Sequence, residues 1–85
     1  MTVEQLKRCN TVMNDCWKLL AKFGKKIEDM HESDEFMEEL FEDAKLIKEK
    51  HGYDQFVKAQ ILAVVNEIDK QVREIEAIKR KAKKT

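Results

Sequence analysis

A neutral chain of 85 residues, with 17 Lys or Arg against 17 Asp or Glu, is one thin-cored domain, because so short a chain buries only roughly 60 to 65% of the surface its unfolded form exposes. Hydrophobic residues make up 42% and charged residues 40%, with two Gly and no Pro, which excludes sheets and disorder and favours long amphipathic helices. The longest uncharged stretch, Ala59 to Asn66, falls far short of the roughly 20 residues that span a bilayer, and Glu4 stands where a signal peptide needs basic then apolar residues; a cytoplasmic protein without membrane association is expected.

The first predicted helix covers residues 3–30 and opens on a capping box, Thr2 followed by Gln5. Behind it the apolar residues form a heptad seam, with Leu6, Met13, Leu20 and Ile27 in one column and Cys9, Cys16, Phe23 and Met30 in the other. Val12, Trp17 and Leu19 flank the seam and widen it toward the stripe of a bundle helix. The phase survives Gly24, which costs about 1 kcal/mol relative to Ala inside a helix, so the helix is expected to continue to about Met30. Cys9 and Cys16 lie two turns apart, about 10.5 Å along the axis, too far to be bridged; both read as thiols packed as small apolar residues.

The second predicted helix, residues 34–51, has Ser33 as N-cap and Asp34 and Glu35 in the first turn, where carboxylates meet the positive end of the helix dipole. Phe36, Met37, Leu40, Phe41, Ala44 and Ile47 make its inward stripe, and Lys48, Lys50, His51 and Gly52 end it. The third, residues 54–80, starts from Asp54 as N-cap, with Phe56, Val57, Ile61, Val64, Val65, Ile68, Val72, Ile75 and Ile78 recurring at three- and four-residue steps. Beyond Ile78 the run "KRKAKK" has no large apolar residue and is expected to fray, which makes residues 1–78 the domain and 79–85 a basic tail. Three helices joined by short links run up, down and up: an all-α three-helix bundle, with packing between helices of neighbouring molecules.

Charge is unevenly placed along this frame. "IEDMHESDEFMEELFEDA", from Ile27 to Ala44, holds nine carboxylates and no Lys or Arg, whereas residues 1–27 carry six basic and two acidic side chains. The basic end of the first helix (Lys18, Lys22, Lys25, Lys26) therefore neighbours the acidic start of the second, and their attraction favours the hairpin. Glu35, Glu38, Glu39, Glu42 and Asp43 are the candidates for docking on a protein with a basic surface; a merely solvated helix face is the plainer alternative. The second helix is shorter than its neighbours, so Leu6 and Cys9 at one end, with Ile75 and Ile78 at the other, are expected to overhang and to meet a second copy. Lys79, Arg80, Lys81, Lys83 and Lys84 offer a phosphate-binding footprint, without an interleaved aromatic for base stacking and in a chain that is neutral rather than basic.

Catalytic chemistry has little to draw on. Glu28 and His31 have the Glu-x-x-His spacing of di-iron bundles, which need two such motifs and further inward glutamates. Ser33 is the one serine, no phosphate-cradling glycine loop is present, and open acidic faces do not push carboxylate pKa values apart. No metal, no cofactor and no enzymatic activity are expected.

In "WKLLAKF", the acidic turn, "AKLIKEKHGY" and "ILAVVNEID", over roughly residues 17–69, the chain resembles the short helical proteins encoded by bacteriophages and prophages of Gram-positive bacteria. That resemblance implies an origin and, because some of those proteins bind host proteins, a binding role; it transfers no site residues. The reading as a whole is a self-associating, non-enzymatic interaction module that binds another protein, with a nucleic-acid accessory protein working through the basic tail as the alternative.

Overall fold

The computed structural model describes residues 1–83, with side chains as far as Lys81. Helix α1 spans Val3–Lys26, a 3-10 turn covers Ile27–Asp29, α2 spans Ser33–His51 and α3 spans Gln55–Lys83. The three helices pack on one another as an up-down-up bundle, and no strand occurs among the described residues. It is a rod of 58 × 19 × 19 Å with a radius of gyration of 15.4 Å, against about 12 Å for a compact chain of this length. A rod has much surface for its volume, so many apolar side chains have no interior to enter.

Local signals explain the boundaries. Gln5 N–H donates to Thr2 Oγ1 at 3.1 Å and Thr2 N–H donates to Gln5 Oε1 at 2.7 Å, satisfying two of the donors that a helix start leaves open. Helix α1 runs through Gly24, as the unbroken phase suggests, but its α-helical part stops at Lys26; the last turn tightens to 3-10 and Met30 is extended at φ −65°, ψ 122°. The chain must reverse direction before α2, and a tightened turn lets it do so while Ile27 and Met30 stay buried. Ser33 is the first residue of α2 rather than its cap: Glu32 occupies that position and no side chain caps the helix. Gly52, at φ +92°, ends α2 with its N–H donating to Lys48 O at 2.8 Å, a conformation that side-chain-bearing residues rarely adopt. Asp54 caps α3 by accepting from Val57 N–H at 3.0 Å. Helix α3 continues past residue 80 to Lys83.

The core consists of Val12, Cys16, Leu19, Phe23, Ile27 and Met30 from α1 and its turn, Phe36, Leu40 and Ala44 from α2, and Val57, Ile61, Val64, Ile68 and Val72 from α3. Phe23 and Phe36 meet edge to face at 5.5 Å and 84°, a favoured aromatic geometry. The seam of α1 differs from the heptad columns read off the sequence. Val12 and Leu19, which flank those columns, are buried, whereas Leu6 and Met13 are exposed and Leu20 is half-buried. The apolar stripe of α1 is wider than the strip that α2 and α3 cover, and the covered strip lies toward Val12, Leu19 and Phe23. On α2, Leu40 is fully buried and Ile47 packs against the core, but Phe41 is turned outward.

Candidate functional site

The face shared by α1 and α2 is a ladder of ions. Lys26 Nζ lies 2.6 Å from Glu39 Oε1, Lys22 Nζ 2.5 Å from Asp43 Oδ2 and Lys50 Nζ 3.0 Å from Asp15 Oδ2, each pair stepping back along α2 as it steps forward along α1. Lys22 and Lys26 also stand over the Phe23 ring, at 5.2 and 5.8 Å from its centroid, where the ring quadrupole attracts cations. The Asp43 carboxylate raises the Lys22 pKa above the ordinary lysine value. The basic end of α1 and the acidic start of α2 thus meet as their charges suggest, and the rungs match the register of the hairpin.

A tighter clasp closes the other end. His51 Nε2 is 2.6 Å from Asp15 Oδ2, with side-chain exposures of 8% and 16%; a carboxylate only accepts, so Nε2 carries the proton. The His51 hydrogen bond, followed by the bond and charge of Lys50, holds the Asp15 pKa below the ordinary carboxylate value against an opposing desolvation. Arg8 donates to both His51 O (3.0 Å) and Asp54 Oδ2 (2.5 Å), tying α1 to the link between α2 and α3. The Asp54 pKa is lowered by the Val57 N–H first and by Arg8 after it. His51, expected only as a C-terminal cation, is a structural partner. The signal for it was Asp15, the lone acid between Glu4 and Glu28 in a basic helix.

The five docking candidates divide in two. Glu39 and Asp43 turn toward α1 and are held in the ladder, whereas Glu35, Glu38 and Glu42 are exposed on the outer face of α2 and have no ion pair among the described residues. The self-association candidates divide as well. Leu6 and Ile78 are exposed at opposite ends of the rod and Cys9 is half-buried, but Ile75 is no overhang: it packs against the core. The link after α1 reaches as far as Lys79, whose Nζ donates to Met30 O at 3.3 Å. Of the basic tail, Lys79 is tied in this way, Arg80 and Lys81 are exposed, Lys83 lies on the last turn of α3 and Lys84 is outside the described residues.

Glu28 sits in the 3-10 turn and His31 beyond the extended Met30, both exposed, so their Glu-x-x-His spacing does not become a helical pair. Among the described residues no three His, Cys, Asp or Glu side chains converge as metal ligands, and no helix is long and apolar enough to cross a membrane. Cys9 and Cys16 are free thiols; burial first, and the Asp15 charge second, push the Cys16 thiol above its usual pKa.

Each pair of helices leaves a shallow groove with an exposed apolar side chain beside it. Leu46 lies along α1/α2 between Lys18, Lys22 and Lys50. Trp17, Leu20 and Gly24 line α1/α3 opposite Glu67 and Gln71. Phe41, Leu62 and Val65 line α2/α3 beside Lys48 and Lys58. Trp17 (62%), Phe41 (53%), Leu46 (62%) and Leu62 (58%) are all more than half exposed. Compared with models of known protein families, with curated proteins and with solved structures, the chain matches none.

Proposed function

We propose that this chain is a small non-enzymatic interaction module that self-associates and docks on a protein with a basic surface. The observation that carries this reading is the apolar surface that Phe41, Leu62 and Val65 share along the α2/α3 groove, with Phe41 and Leu62 more than half exposed, since contiguous apolar surface left out of a fold marks where other macromolecules bind. Beside it, Glu35, Glu38 and Glu42 offer charge that no cation among the described residues pairs with. Three of the groups that could have served chemistry are engaged in the fold: Asp15 and His51 hold helices together, and Cys16 is buried with its thiol pKa raised, the reverse of a reactive cysteine.

The test replaces Glu35, Glu38 and Glu42 together by Gln, which keeps side-chain shape and removes three charges. Helicity and melting temperature are expected to stay near those of the parent, while complexes captured by the parent chain weaken and also dissociate as salt rises, because exposed charges are screened within about 8 Å at 0.15 M. A folded triple variant that captures the same complexes at the same salt would show that these carboxylates are merely solvated.

A further inference from the structure

The second helix carries a seam that its core does not use. Asp34, Glu38, Phe41, Lys45 and Lys48 follow one another at steps of four, three, four and three residues, the spacing that keeps side chains on one line of contact between two helices. On the bundle this line lies outside the core strip of Phe36, Leu40 and Ala44. Asp34, Glu38 and Lys45 are exposed, Lys48 is half-buried, and none of the four charges has an ion-pair partner among the described residues. At its middle, Phe41 opens onto the α2/α3 groove, a recess of about 360 Å³ that Leu62, Val65, Lys48 and Lys58 also line. The seam therefore reads acidic, acidic, aromatic, basic, basic. It is its own complement when reversed.

We propose that a second copy of this chain occupies this face, with α2 packed antiparallel on α2 about a two-fold axis near Phe41. In that arrangement Glu38 faces Lys45 of the second copy, Asp34 faces its Lys48, and the reciprocal pairs repeat on the other side of the axis, as an isologous contact requires. The two Phe41 rings meet at the axis and cover the Leu62 and Val65 surface of both recesses. The charged line from Asp34 to Lys48 is about 21 Å long at 1.5 Å per residue. Parallel packing would set Asp34 and Glu38 on their own copies and repel, so the charges select the antiparallel sense. The α1/α3 groove beside Trp17 has no such reversed charge order. This inference rests on the self-association proposed above and identifies the basic surface that Glu38 meets as the far half of a second α2.

Charge reversal tests it, with sedimentation velocity over a concentration series at low salt and circular dichroism to confirm folding. Glu38→Lys alone, or Lys45→Glu alone, converts two attractive contacts into two repulsive ones and is expected to weaken dimerisation by about fivefold or more, from the size of exposed ion pairs. The double variant Glu38→Lys/Lys45→Glu restores both contacts with reversed sign and is expected to return to within about threefold of the parent, a coupling that only facing residues show. Phe41→Ser, which leaves every charge in place, is expected to abolish the dimer. If the parent chain stays at the monomer mass throughout the series, self-association itself is refuted. If the parent dimerises but the single reversals have no effect, or the double variant remains as weak as the singles, self-association stands and this face is refuted. A dimer lost in Trp17→Ala but intact in Phe41→Ser assigns the contact to the α1/α3 groove and likewise overturns the α2 seam.

Discussion

Replacing Asp15 by Asn leaves a side chain of the same shape and removes the charge at the centre of the clasp between α1 and α2. The His51 contact is 2.6 Å long and both side chains are largely buried, so it is a charge-assisted hydrogen bond of the kind worth about 1.5 to 3 kcal/mol. Lys50 is 61% exposed, and its pair with Asp15 adds between nothing and about 1 kcal/mol. Because the Asn amide oxygen still accepts from His51 Nε2, the net loss is expected to be about 1 to 2 kcal/mol at neutral pH, a fall in melting temperature of about 4 to 16 °C for a domain of this size. The pH dependence follows from the lowered Asp15 pKa. A carboxylate whose folded pKa lies below its unfolded value of about 3.9 contributes its full stability above that value and loses it as pH falls through the folded pKa. Melts followed by far-ultraviolet circular dichroism should therefore show a wide gap between parent and variant at pH 7 that narrows below about pH 4. In the background His51→Gln, Asp15→Asn should cost less than in the parent, because the two residues share one interaction. A melting temperature within about 1 °C of the parent at pH 7 would refute the clasp as a stabilising element, and so would a gap that stayed constant into acid.

Leu40 is fully buried at the centre of the rod, and Leu40→Ala is expected to cost about 2 to 5 kcal/mol; a urea titration should show a lower midpoint, and an unchanged one would mean that Leu40 does not anchor the core. The two glycines should respond in opposite directions. A methyl group at Gly24 meets nothing within 4 Å in a helix, so Gly24→Ala should gain about 0.5 to 1 kcal/mol, whereas Gly52→Ala must hold φ +92° and should lower the melting temperature. The same sign at both positions would contradict their backbone assignments.

Much of this architecture is written locally. Thr2 with Gln5, Asp54 and Gly52 mark helix ends through hydrogen bonds that reach only three or four residues, so a reader of the sequence sees them. The stripes of α2 and α3 are legible for the same reason: Phe36, Leu40 and Ala44, or Val57, Ile61, Val64, Ile68 and Val72, recur at helical steps and are buried. The candidate docking helix is likewise visible as a run of carboxylates. What periodicity does not contain is how wide a strip the neighbouring helices cover. The apolar surface of α1 exceeds that strip, so only packing decides that Val12 and Leu19 go in while Leu6, Met13 and Trp17 stay out, and that Phe41 faces the solvent. Nor does a run of acids reveal which members are taken. Glu39 and Asp43 are paired, and Glu35, Glu38 and Glu42 have no ion pair among the described residues, because the register of the α1–α2 hairpin brings Lys26 and Lys22 opposite the first two. The Asp15–His51 clasp joins residues 36 positions apart. Contacts of that span depend on the rotation and register of whole helices, and these are set by the summed packing of the core rather than by any residue's local preference.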